Sequence, residues 1–379
     1  MTRRGLMILL WLCLAAVPAA AQTRAGVEAQ FHGWLDTTVW PRAQGAGVSR
    51  DIFDAAFDGV SLNWDLPDLI PPGMAPVPQP QRQAEFGNPG AYFSRGSIDA
   101  ATTVGRQMAT RHAATLDAAE RATGVPGRIV LAIWGRESGY GRADIPYDAF
   151  QVLGTKAFMS TRAAYFTDEL IAALQIAQAG HQSPRAMRSS WAGALGQPQF
   201  MPSNFLAYAA DGDGDGRADI WGSAADTIAS IATYLARHGW VPGRDWGFEV
   251  SVPASVSCTL EGPDQGRAIA DWAALGIARV GGRAFPDNEL PQQGFLLMPA
   301  GRNGPAFIVT PNFYVLKDYN TSDLYALFIG HVGDRIQYGV SDFSGGWGAV
   351  GGMLRSDVAA MQRRLERMGH DVGGADGLV

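Results

Sequence analysis

The sequence predicts an α+β protein, mainly α, with a helical body and a small β-containing insertion. Three observations carry this. Apolar residues recur at helical spacing through most of the 379 residues. The stretch 241–312 instead holds short β-branched and aromatic runs between Gly/Pro turns. Hydrophobic residues make up 47% and charged residues 17%, against about 25% charged in ordinary soluble domains. That is enough apolar material for a large core and excludes a disordered chain. The net charge of −6 argues against a broad nucleic-acid surface, so no nucleic-acid partner is expected.

Residues 1–21 read as a signal peptide. Arg3-Arg4 precede an apolar run from Leu6 to Val17 and the small-residue site Pro18-Ala19-Ala20-Ala21. The run is short for a bilayer span, and an N-terminal anchor is the alternative. Arg3-Arg4 leaves Sec and Tat export both open. Cys13 lies inside the apolar run behind Trp11-Leu12, without the small residues that precede a lipid-modified cysteine, so no lipoprotein is expected. Cys258 is then alone in the mature chain, which excludes an internal disulfide. No other stretch reaches about 18 uncharged apolar residues, so the mature chain should hold no transmembrane segment.

The elements follow in order. Phe31, Trp34, Leu35 and Val39 predict helix over about 27–62, with Asp51 to Ala56 opening a second short helix. Pro67, Pro71, Pro72, Pro76, Pro78 and Pro80 make 65–90 an extended connector. Helices are expected over 98–123, stopping at Gly124, then from Pro126 in a first turn through Trp134. Two more follow, over 161–180 and over 226–237, the latter capped by Asp226. In the insertion, Phe248 to Val252 and Phe307 to Val309 read as strands and 264–275 as helix. Helix resumes over 321–336, 341–352 reads as a linker, and Val358, Met361, Leu365 and Met368 share one face of a last helix.

The helix through Trp134 carries an acid. Ile129, Ile133 and Glu137 lie on one face at i, i+4 and i+8, so Glu137 points inward with the apolar stripe. Apolar surroundings and a helix C-terminus both disfavour the carboxylate. A carboxyl kept protonated near neutrality suits a general acid that protonates a glycosidic oxygen. The structural alternative is an ion pair of Glu137 with Arg136 or Arg142.

The residues around Glu137, Gly135-Arg136-Glu137-Ser138-Gly139-Tyr140-Gly141, resemble the E-S/T-x-x-G motif of lysozyme-like lytic transglycosylases. Trp191 to Ser203 (Trp-Ala-Gly-Ala-Leu-Gly-Gln-Pro-Gln-Phe-Met-Pro-Ser), Asp226 to Trp240 and Tyr319-Asn320-Thr321-Ser322-Asp323-Leu324-Tyr325-Ala326 resemble further motifs of the membrane-bound lytic transglycosylase B family, in family order. The resemblance implies a lysozyme-like catalytic core with an additional helical region, a catalytic domain over 22–340, and periplasmic cleavage of the β-1,4 bond between N-acetylmuramic acid and N-acetylglucosamine in peptidoglycan. The product it implies is a 1,6-anhydro sugar, with Glu137 as the single acid/base and no second carboxylate. Asp144 and Asp148 lie nearby in sequence, and neither stands in a second acidic motif.

By the same matching, Ser190 and Gln199 are cleft residues near the glutamate, and Tyr319 and Asn320 face it. Tyr165, Tyr234 and Tyr325 are cleft aromatics, and Tyr92 is a further match. Arg162 is one of two adjacent basic residues that meet the peptide stem, the other position being Thr161 here. Core packing with a bonded hydroxyl is the alternative for each tyrosine. Implied partners are peptidoglycan glycan strands and other cell-wall enzymes. A hydrolytic muramidase and a non-catalytic peptidoglycan-binding scaffold are the competing functions.

Asp211, Asp213, Asp215, Arg217 and Asp219 stand at positions 1, 3, 5, 7 and 9 of an EF-hand-like loop, with Gly216 at 6. Position 12 is Gly222, and the resemblance makes Asp226 the closing ligand. A structural Ca²⁺ is expected, with a metal-free acidic turn as the alternative; catalysis needs no cofactor. Residues 353–379 resemble the opening of a three-helix peptidoglycan-binding domain, either truncated or packed on the main domain, where the bland reading is a terminal amphipathic helix.

Overall fold

Thr23 starts the first helix by accepting the Gly26 amide at 3.2 Å. The computed structural model describes residues 23–75, 89–348, 355–372 and 375. The expected signal peptide lies outside the described residues, as do 76–88 of the connector, 349–352 of the expected linker and 353–354 of the C-terminal fragment. Helix α1 (Arg24–Trp34) runs through a π-helical stretch, Leu35–Val39, into α2 (Trp40–Gly45). The shift to i→i+5 bonding falls just before Pro41, which has no amide to donate. The single helix expected to residue 62 therefore ends at Gly45, and α3 (Arg50–Phe57) restarts on a Ser49 cap.

Helices α4 (Arg95–Arg111) and α5 (Ala113–Thr123) divide the one helix expected over 98–123. The break is at His112, whose ring stands edge-on to Trp134 at 5.6 Å, a tertiary contact that no local residue announces. In α6 (Gly127–Ser138), Pro126 is the extended N-cap rather than a first-turn residue. Strands β1 (Tyr147–Asp148) and β2 (Arg188–Ser189) pair antiparallel around the helices α7 (Ala149–Met159) and α8 (Ala163–Gln178). Helix α7 was not expected, because it is apolar on nearly every side and so has no amphipathic signature. Asp148 caps it, accepting the Phe150 and Gln151 amides at 2.9 and 3.0 Å. After α9 (Pro202–Tyr208) comes α10 (Ala224–Arg237), and its cap corrects the sequence reading. Ser223 accepts the Asp226 amide at 3.2 Å, while the Asp226 carboxylate turns to the acidic loop.

The insertion contributes β3 (Gly247–Ser251), β4 (Arg267–Ala268), α11 (Ile269–Ala274), β5 (Ala278–Arg279), β6 (Gln293–Leu297), β7 (Pro299–Arg302) and β8 (Ala306–Val309). The helix expected over 264–275 is thus reduced to α11 behind a short turn and a strand. Five strands form an antiparallel sheet in the order β4-β6-β8-β3-β5. Alternation along them splits two cores. Phe295, Leu297, Phe307 and Val309 join the helical core, and Phe248, Val250, Leu296 and Ile308 join a small core with Trp272. Helix α12 (Pro311–Asn320) also went unexpected, although Thr310 caps it and Pro311 opens it. Helices α13 (Asp323–Tyr338) and α14 (Arg355–Arg367) complete the described chain.

Helix α6 runs through the middle, packed against α4, α10 and α13. Every residue from Arg128 to Trp134 is buried. Arg128 is paired with Asp245 at 2.7 Å and Asp334 at 3.2 Å, which ties the start of α6 to the approach to β3 and to α13. Among the described residues no helix is long and apolar enough to cross a membrane.

Candidate active site

Helix α6 delivers Glu137 in its last turn, and three consecutive left-handed residues then swing the chain aside. Gly139, Tyr140 and Gly141 have φ of 57°, 63° and 76°. The Gly139 amide donates to the Gly135 carbonyl at 3.0 Å, and Ser138 Oγ accepts the Gly141 amide at 3.0 Å. Gly135 is needed one turn earlier, because a Cβ there would come within 2.6 Å of the Tyr140 ring. That ring is locked by its hydroxyl, which donates to the Ala101 carbonyl at 2.8 Å. A non-glycine residue at positive φ is held by its surroundings, and here the Tyr140 lock keeps the helix end open beside Glu137.

The Tyr325 hydroxyl donates to Glu137 Oε1 at 2.6 Å. Burial of the carboxyl pushes its pKa above the usual range; the Tyr325 bond and the Arg136 charge pull the other way and lose. Arg136 does not close the ion pair that the sequence left open. Its guanidinium lies over the Tyr92 ring at 4.6 Å and the Phe328 ring at 5.1 Å, and Arg142 is exposed on the turn. A half-buried carboxyl with one phenolic donor can give up a proton and take one back.

Tyr325 itself is 1% exposed and stacks on Tyr319 at 6.2 Å and 10°. The Tyr319 hydroxyl donates to the Pro198 carbonyl at 2.8 Å, binding the end of α12 to the loop that carries Gln199. Burial and the nearby Glu137 charge drive both phenols well above their ordinary pKa, so they act as neutral donors. Asn320 is exposed beside them, followed by Thr321 at φ 53°.

The loop from Ser190 to Phe200 packs on the turn after Glu137, where a Cβ on Gly141 would come within 2.4 Å of Gln197 Oε1. Ser190 Oγ accepts the Ala192 and Ala194 amides at 3.3 and 3.2 Å. Gln199 adopts φ 55° and donates from Nε2 to the Gly196 carbonyl at 2.8 Å. Gln197, whose part the sequence reading did not see, joins three segments. Its Oε1 accepts the Trp134 Nε1–H at 2.8 Å, and its Nε2 donates to the Trp221 carbonyl at 3.0 Å. The available signal was Trp134, a buried indole that needs an acceptor three residues before Glu137.

The remaining matched positions are held by contacts of their own. Tyr234 is 5% exposed and takes the packing alternative. Its hydroxyl donates to the Asp318 carbonyl at 3.0 Å, and its ring is covered by His238 at 3.8 Å. Arg162 and Tyr165 form their own stack at 4.1 Å. Tyr92 reaches the site through Arg136.

In the acidic loop, Asp211, Asp213 and Asp226 bring one carboxylate oxygen each within 4.8 Å of one another. Asp226 also accepts the Gly212 and Asp219 amides at 2.8 and 2.6 Å. Backbone amides led by that of Gly216 hold the Asp211 carboxyl below the usual carboxylate range. Asp215 and Asp219 stand outside this group: Asp215 is paired with Arg217 at 3.6 Å, and Asp219 accepts the Trp221 and Gly222 amides at 3.0 and 2.9 Å.

Comparison with known proteins agrees with this architecture. Residues 30–334 match the transglycosylase SLT domain. The chain belongs to that family, and its mainly helical, lysozyme-like α+β fold is the one expected from sequence. It is 32% identical over 224 residues to membrane-bound lytic murein transglycosylase B of Escherichia coli strain K12, an alignment covering 58% of this chain and 60% of that protein. The crystal structure of SltB3 from Pseudomonas aeruginosa in complex with NAG-anhNAM-pentapeptide superposes with a TM-score of 0.79 at 33% identity, over 92% of this chain and 90% of that one. The Escherichia coli lytic transglycosylase Slt35 in complex with calcium gives 0.56 at 28% identity, over 67% and 80%.

Proposed function

We propose that the protein is a lytic transglycosylase cleaving the β-1,4 bond between N-acetylmuramic acid and N-acetylglucosamine in peptidoglycan, with Glu137 as its single acid/base. The carrying observation is the Glu137 carboxyl, whose burial raises its pKa above the usual range and which accepts the Tyr325 hydroxyl at 2.6 Å. Glu137 gives that proton to the glycosidic oxygen as the C1–O bond breaks. The muramyl C6 oxygen then bonds to C1 and surrenders its proton to the Glu137 carboxylate, which restores the acid. One bond is broken, one is formed and no water is consumed. The nearby carboxylates support a one-acid reading: Asp148 is engaged as the α7 cap, and Asp144 is exposed. The SltB3 structures in complex with NAG-anhNAM-pentapeptide and NAG-NAM-pentapeptide support the substrate class.

Ser190, Gln199, Asn320 and Tyr319 would hold the sugar's acetamido and hydroxyl groups. Tyr325 donates to the acid, Tyr92 and Tyr165 offer ring faces, and Arg162 meets the peptide stem. Tyr234 acts by supporting Tyr319 at 4.8 Å. A Ca²⁺ ion would be held by Asp211, Asp213 and Asp226, whose hard oxygen donors suit it. It would supply structural charge balance and no chemistry. Export to the periplasm follows from the basic and apolar start of the sequence. The test is mass analysis of murein digested by the purified protein. Products lighter by one water than reducing-end muropeptides are expected; reducing ends alone would mean hydrolysis, and binding without release a scaffold.

A further inference from the structure

The stretch from Ser341 to Gly348, expected as the start of a linker, lies along the catalytic body as a strap. Phe343 packs against His331 at 4.2 Å, Phe307 at 4.9 Å and Phe93 at 5.5 Å. Trp347 lies flat on Phe93, with ring centroids 4.8 Å apart and planes 10° apart. The Gly345 amide donates to Glu249 Oε1 at 2.9 Å, and the Gly348 amide to the Asn303 carbonyl at 2.5 Å. Both glycines sit so close to their neighbours that a Cβ would come within 2.7 Å of Pro305 or 2.6 Å of the Asn303 oxygen.

Phe93 closes the short turn Pro89–Phe93, in which only Pro89 is buried. Tyr92 and Phe93 are partly buried and rest on the core through Phe328 of α13, 6.4 Å from Phe93, so Trp347 closes over Phe93 from the side opposite the body. The Tyr92 ring meets Phe328 edge-on at 6.0 Å and lies under the Arg136 guanidinium, next in sequence to Glu137. The Phe93 and Tyr92 rings are 6.0 Å apart, so a series of aromatic and cation–π contacts runs Trp347, Phe93, Tyr92, Arg136.

The geometry points to Trp347 as a positioning residue: by clamping Phe93 from the strap, it holds Tyr92 and Arg136 at the mouth of the cleft beside Glu137 and so sets affinity for the glycan. This rests on the cleft being the glycan site. The strap is therefore a working part of the catalytic body. Its effect falls on substrate binding, because Trp347 reaches the reacting atoms only through Tyr92 and Arg136.

The experiment uses the full chain and a soluble tetrasaccharide of alternating NAG and NAM. Binding is measured by calorimetry in a Glu137→Gln background, and turnover with Glu137 intact. Trp347→Ala should weaken binding and raise KM about three- to tenfold, the range expected for one aromatic pair. Its kcat should stay within about twofold, and Trp347→Phe should restore most of the affinity. Tyr92→Ala should weaken binding similarly, and the double variant should lose no more than either single one. Unchanged binding in Trp347→Ala, or fully additive losses, overturns the clamp while leaving the glycan site standing. Unchanged binding in Tyr92→Ala removes Tyr92 from the site instead. Should Trp347→Ala fail to melt cooperatively, Gly345→Ala, which lifts the strap off Pro305, takes its place with the same expected loss of affinity.

Discussion

Glu137 is one side chain under two opposed influences. Burial favours its protonated form, and the Tyr325 hydroxyl favours the anion. Replacing it by Gln leaves shape and polarity but no transferable proton, so turnover should fall on the order of 10³-fold with glycan binding retained; a loss of only a few-fold in a murein-release assay would place the acid elsewhere. Tyr325→Phe removes the donor that helps the anion, so the carboxyl should hold its proton to higher pH. The alkaline limb of kcat/KM should then move upward, a shift read from a pH–rate profile. Stability follows the same linkage. The folded pKa is raised above 4.5, so the stabilisation tied to this proton is present below that value and is lost as pH rises through the folded pKa. Glu137→Gln should therefore melt at a higher temperature than wild type at neutral pH, and the gap should close in acid.

At the scale of elements, the site depends on how α6 is held at both ends. Its N-terminal end is anchored by Arg128, 7% exposed and paired with Asp245 and Asp334. Arg128→Ala leaves two acids around a vacated buried position and should cost about 3–5 kcal/mol in denaturant unfolding. Its C-terminal end needs Gly135, since a side chain there must displace the Tyr140 ring. Gly135→Ala should destabilise by about 1–3 kcal/mol through overpacking, with activity falling as the Tyr140 lock is disturbed. Legibility from sequence divides along the same line. Glu137, the glycine turn and α13 were readable because they follow local patterns. Helix α7 was not, since a helix buried all round loses the polar face that marks its period, and Asp148 as its cap became visible only with the fold.

For the whole molecule, Gln197 shows how distant stretches are combined. One amide side chain bonds to α6 through Trp134 and to the end of the acidic loop through the Trp221 carbonyl. Order in that loop therefore bears on how Gln197 is held against α6. If Asp211, Asp213 and Asp226 hold Ca²⁺, the ion should raise the melting temperature of the wild type and leave Asp211→Asn unchanged; equal melting of wild type with Ca²⁺ and with chelator would dispose of the site. The motifs at Glu137, Ser190 to Ser203 and Tyr319 to Tyr325 were enough to identify the class of chemistry, because the residue types that transfer protons and bind sugars are written locally in the chain. Sequence alone also set the helical body and the two strands framing the insertion, through periodicity. Only the tertiary structure decided that Arg136 stacks on Tyr92 instead of pairing with Glu137, that Tyr234 is packing and Tyr325 the donor to the acid, and that Ser223 rather than Asp226 caps α10. Those outcomes turn on which side chains meet across long separations, and a hydrogen bond or ring stack between residues 188 positions apart leaves no trace in the spacing of either.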